Sequence, residues 1–123
     1  MDYDKTIWER IADVLLEHEY NVYPPAIKKG ECTEEYIVIK QDGSSRSLAF
    51  SSETDYYTLL LYVPREQYTR LEKFKQEVKG VMATDLYPLL MPTGLTTPDF
   101  YDDTYKAHMT SIQYRNNARN KQL

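Results

Sequence analysis

The sequence predicts an α+β domain, an antiparallel sheet of about four strands with two helices packed on one face. Three observations lead there. Thr6–Glu19 and Arg65–Met82 repeat apolar residues at helical spacing. Glu35–Gln41, Asp55–Val63 and Tyr105–Arg115 are short runs rich in aromatic and β-branched residues. Asp42-Gly43-Ser44-Ser45 is turn chemistry, linking the first two of those runs as a hairpin.

The first helix is expected from Thr6, because Thr6 and Glu9 have capping-box spacing and Asp2 and Asp4 suit the positive end of its dipole. Ile7, Ile11, Val14, Leu15 and His18 form its apolar stripe, which Trp8 and Leu16 widen. His18, closing that stripe, reads as a half-buried residue of the last turn rather than a ligand. Asn21-Val-Tyr23 is a brief strand stopped by Pro24-Pro25, and 26–34 an exposed loop. In Glu35–Gln41, Tyr36 and Val38 share one face and Ile37 and Ile39 the other. The Ser-rich 43–53 stretch embeds Arg46, Leu48 and Phe50, apolar groups that need covering.

Asp55–Val63 is the strand around which the rest is organised. Tyr57, Leu59, Leu61 and Val63 point to one face and make plain core. Tyr56, Thr58, Leu60 and Tyr62 point to the other, a mixed face that is neither freely solvated nor fully sealed. Pro64 ends the ladder ahead of the second helix, one face of which is formed by Tyr68, Leu71, Phe74, Val78, Val81 and Met82. Prolines 88, 92 and 98 and Gly94 break up 83–103, leaving room for a short strand at Leu86–Met91 and an acidic turn at Pro98–Asp103. Tyr105–Arg115 carries polar residues on both faces, which suits an edge strand or one lying at a subunit boundary. In it, His108 reads as a surface histidine. Residues 1–115 form the single domain, and 116–123 a polar tail whose Arg119 and Lys121 suit an acidic neighbour.

A length of 123 residues is enough for one self-standing core. The single cysteine, Cys32, has no internal disulfide partner, and it is expected to pack as a small hydrophobe. No apolar run approaches the roughly 20 residues of a membrane helix, and the acidic N-terminus is unlike a signal peptide, so a soluble protein made inside the cell is expected. A net charge of −4 argues against nucleic-acid binding, which rests on cations meeting phosphates. No catalytic or metal-ligating set and no cofactor is expected. The serines lack a nucleophile elbow, no glycine-rich loop precedes a helix, and the aspartates lack calcium-loop spacing.

The twelve tyrosines suit both strands and interfaces. Two helices of roughly 10 Å diameter cover one face of a sheet with about 4.8 Å strand spacing. The other face must pack on the Pro-rich segment, on another subunit, or on both. The expected contact residues are Arg46, Leu48, Phe50, Tyr56, Leu60, Tyr62, Tyr114, Arg115 and Arg119.

The run Tyr56–Leu71, the closing Asp102–Asn116, Tyr23-Pro24 and Glu35-Tyr-Ile-Val-Ile39 together resemble the tail terminator, or tail completion (head–tail joining), proteins of tailed bacteriophages and prophages. The resemblance implies a non-catalytic α+β subunit of the virion, assembled in the bacterial cytoplasm. It would close into a ring, commonly a hexamer, at the head-proximal end of the tail. There it would meet the tail tube protein on one side and the head-completion or connector protein on the other. By position, 43–53 would face the tube or lumen, and the chain from Arg115 onward would reach a neighbouring copy. The alternative is a non-catalytic adaptor that binds a single phage or host protein through the Tyr-rich face.

Overall fold

A computed structural model describes residues 5–46 and 53–117. Among these, α1 (Ile7–Glu17) is followed by β1 (Val22–Tyr23), β2 (Tyr36–Arg46) and β3 (Glu53–Pro64). A short 3-10 turn, Arg65–Gln67, leads into α2 (Tyr68–Asp85), then β4 (Met91–Pro92), β5 (Phe100–Asp102) and β6 (Ala107–Asn117). The class is α+β, but the sheet has six strands rather than about four and is mixed rather than purely antiparallel. Its order is β1-β2-β3-β6-β4, with β5 also on β6; β1 runs parallel to β2 and the other pairs are antiparallel.

Both helices lie on one face. Ile11 and Leu15 of α1 and Leu71, Phe74, Val78 and Met82 of α2 are fully buried with Ile37, Ile39, Leu59, Leu61, Val63 and Ile112. Thr6 caps α1 as its spacing predicts, its hydroxyl accepting from the Glu9 amide while the Glu9 carboxylate accepts from the Thr6 amide. Trp8 ties the helix to the sheet by donating its indole N–H to the Ile39 carbonyl at 2.7 Å. Leu16 instead stays exposed, and His18 is the exposed C-cap, its ring 3.0 Å from the Asp85 carboxylate at the end of α2. Arg70, in the first turn of α2, ties that helix to Glu35. Its guanidinium reaches both Glu35 oxygens at 2.7 and 2.9 Å and both Glu77 oxygens at 2.8 Å, which holds the Glu77 carboxyl below its usual range.

Two expectations about the strands are corrected. Asp42-Gly43 does not turn the chain: β2 passes through it as a β-bulge between Gln41 and Gly43, with Gly43 at φ +98°, and pairs with β3 out to Arg46↔Glu53. The glycine that licenses a tight turn also licenses the extra residue of a bulge. β6 is not an edge strand either. Its far side is lined by 91–102, where the Leu95 carbonyl accepts from the Gln113 amide, the Thr93 amide donates to the Gln113 carbonyl, and Thr96 bonds the Ser111 carbonyl. The hydroxyls of Thr110 and Ser111 bond the Thr97 carbonyl and the Thr97 amide and hydroxyl. Thr110 and Ser111 of β6 are therefore buried and paired rather than solvated. The acidic turn at Pro98–Asp103 contains β5, and the only strand pairing of the 86–91 stretch is at Met91.

β6 also continues past 115. Asn116, placed in the tail by the sequence, is wholly buried and donates its side-chain N–H to the Leu89 carbonyl at 2.7 Å. His108 is half-buried between the rings of Tyr68 and Tyr101, at 4.7 and 5.1 Å. Cys32 is buried as expected, its thiol donating to the Glu34 carbonyl at 3.3 Å, and burial pushes its pKa up.

Candidate interaction surface

The register of β2, β3 and β6 decides what the second sheet face presents. Tyr36, Tyr62 and Met109 lie side by side, then Val38, Leu60 and Ser111, then Lys40, Thr58 and Gln113, and finally Tyr56 beside Arg115. The face has two halves.

The half towards Tyr36 is aromatic and covered. The rings of Tyr36 and Tyr62 stack at 4.7 Å, with Tyr23 edge-on to the first at 5.6 Å and Tyr105 edge-on to the second at 6.2 Å. Burial, the largest cause, pushes the Tyr36 and Tyr62 phenols above their usual range, and the Asp102 carboxylate nearby adds to both shifts. What covers this half is the 24–34 stretch; 26–34 is largely exposed, as the sequence predicts, but its Cys32 is buried against the sheet. The Cys32 amide donates to the Tyr105 carbonyl at 2.7 Å and draws the loop across the face; Cys32 then packs with Tyr36, Val38, Tyr62, Ala107 and Met109. The Pro-rich segment, one of the alternative covers expected for this face, runs along the side of β6.

The cover is incomplete. Between loop and sheet lies a recess of about 120 Å³, walled by Tyr36, Tyr62, Tyr105, Pro25 and Ala26 and floored by Val38 and Leu60. Lys28 stands at its rim, with its ammonium 5.5 Å from the centre of the Tyr36 ring. Among the described residues no loop crosses the half towards Tyr56. Tyr56, Thr58 and Leu60 are half-buried there, and Asp42 bonds both the Thr58 hydroxyl and, at 3.3 Å, Lys40.

The predicted contact residues fall into four groups. Tyr56 and Leu60 sit half-buried on this face, and Arg115 is exposed beside Tyr56. Tyr62 shares the face but is only 8 % exposed under the loop. Tyr114 belongs to the opposite, helix-covered face and is 3 % exposed, a core residue of the single chain rather than contact surface. Arg46 ends β2, while Leu48, Phe50 and Arg119 lie outside the described residues. Tyr105, Lys28, Pro25 and Ala26 were missed as members of the site. Their presence here depends on where a loop of irregular sequence lands, and no periodicity reports that.

Among the described residues no group of three or more His, Cys, Asp or Glu side chains is arranged to hold a metal ion, and no helix is long and apolar enough to cross a membrane. In comparison with known proteins, the chain matches no family model and no curated sequence.

Proposed function

We infer that this chain is a structural virion subunit. It closes into a homo-oligomeric ring at the head-proximal end of a phage tail, between the tail tube and the head connector, and carries no catalytic chemistry. The observation that supports the reading most is the second sheet face, with its open recess and its half-buried Leu60 and Tyr56. A chain with a complete core on the helix side, yet apolar and phenolic groups only half covered on the other, has surface suited to a further protein. The resemblance to tail terminators carried by Tyr56–Leu71 and Asp102–Asn116 supplies the kind of partner, copies of the chain itself and the two neighbouring virion proteins.

The test is assembly state by light scattering and electron microscopy, for the chain alone and with tail tube protein. A closed ring of several copies is expected. A monomer under both conditions would overturn the reading. The recess also suits an adaptor that takes one side chain of one foreign partner, and a one-to-one complex without rotational symmetry would select that reading instead.

A further inference from the structure

Among the described residues, strands carry two large apolar side chains that stay exposed, Phe100 and Tyr101 of β5. Register separates them. Tyr101 lies opposite His108 and turns to the helix side, where the rings of Tyr68 and Tyr101 both pack on that histidine. Phe100 lies opposite Met109, which in turn lies opposite Tyr62, so its phenyl is on the recess's side of the sheet. It is 48 % exposed and takes no part in walling the recess. Two strand spacings of about 4.8 Å put β5 roughly 10 Å from β3. One face thus presents a hollow and, a little to the side, a projecting ring.

The two are matched in kind. The hollow, about 120 Å³ against roughly 150 Å³ for an apolar cavity that accommodates benzene, is walled by three tyrosine rings and floored by Val38 and Leu60. A phenyl ring seated there finds edge-on and stacked partners away from water. Charge is matched too. Half-buried Lys28 stands at the rim of the recess, and exposed Asp99 immediately precedes Phe100. Among the described residues neither has an ion-pair partner: Lys28 faces the Tyr36 ring, and Asp99 accepts from the Tyr68 hydroxyl at 3.4 Å.

We propose that two copies of this chain meet by this side of the sheet, each seating its Phe100 in the other's recess, with Asp99 of one beside Lys28 of the other. Because ring and hollow share one face, a twofold axis satisfies both contacts at once, the self-complementary arrangement of a C2 pair. The same contact covers Leu60, which the single chain leaves half-buried. The inference goes beyond the ring reading and does not depend on it, since the pair stands whether or not further copies join.

The test uses the full chain, with the helical circular dichroism of every variant checked, and reads association by sedimentation. The wild-type chain alone is expected to pair. Phe100→Ala, at an exposed position, is expected to weaken pairing at least about tenfold, as truncating an aromatic anchor does. Pro25→Trp, at the exposed rim of the recess, is expected to weaken it likewise. Lys28→Glu sets two carboxylates side by side and weakens pairing; adding Asp99→Lys to it exchanges the signs and is expected to recover most of the loss. The inference is overturned by a wild-type chain that is monomeric alone, or by a folded Phe100→Ala or Pro25→Trp chain that pairs as tightly as wild type. A double reversal that associates no better than Lys28→Glu overturns it too. None of these decides the ring reading, which falls only if the chain also stays monomeric with tail tube protein.

Discussion

Leu59 and Leu60 are adjacent in the chain and live in different surroundings. Leu59 is wholly enclosed between α1, α2 and the sheet, while Leu60 floors the recess and remains half-buried. Leu59→Asp is expected to unfold the domain, because an unpaired carboxylate in that core costs more than about 4 kcal/mol. Leu60→Asp is expected to keep the helical circular dichroism and lose assembly. Equal behaviour of the two, by dichroism and sizing, would reverse the face assignment. The buried tyrosines add a pH dependence. Tyr114, pushed up to about 12 by burial, folds as the neutral phenol, and Tyr36, Tyr57 and Tyr62 are raised for the same leading reason. The unfolded phenol ionises near pH 10, so this contribution is whole below that pH and is lost as the pH climbs towards the folded value. For Tyr114 the loss is on the order of 2 kcal/mol. Stability measured by denaturant titration should fall steeply above pH 10; a flat profile to pH 12 would contradict the burial of these rings.

At the scale of the element, two glycines test why β2 and α2 have their shapes. Gly43 sits at φ +98° in the bulge and Gly80 in the helix interior, and a Cβ added at either meets no atom within 4 Å. Steric room is thus equal, and only backbone preference differs. Gly80→Ala should raise stability by about 0.5–1 kcal/mol, whereas Gly43→Ala should lower it by about 1–2 kcal/mol; thermal unfolding of the pair reads the opposite signs. The helices, the Thr6 cap and the inward face of β3 were legible in the sequence because each is set by residues within a few positions of one another. The bulge was not, since Asp-Gly signals a reversal and an extra strand residue with the same letters. Nor was the interior position of β6. Thr110, Ser111 and Gln113 look solvent-facing until Thr93, Leu95, Thr96 and Thr97 arrive to bond them, and that meeting is a long-range event. The candidate site was half legible for the same reason: register placed Tyr56, Leu60 and Tyr62 on one face, but the 24–34 loop decided which of them it would cover.

The whole molecule is layered unequally. Among the described residues two helices close one side of the sheet, while one loop closes about half of the other, and that imbalance is what the ring reading rests on. The sheet's two lateral margins are unequal as well. On the β6 side, 91–102 occupies the backbone groups along the strand with short pieces interrupted by Pro92 and Pro98. On the other side β1 pairs with β2 only at Ile37 and Val38, leaving the remainder of β2 without a neighbouring strand among the described residues. A polypeptide with two bare flanks can pass its ladder from copy to copy without limit, as fibrils do. Main-chain pairing through the bare stretch of β2 alone would join identical molecules only two at a time. Copies beyond a pair would have to meet through other surfaces, and the half-covered sheet face is the one the described residues offer.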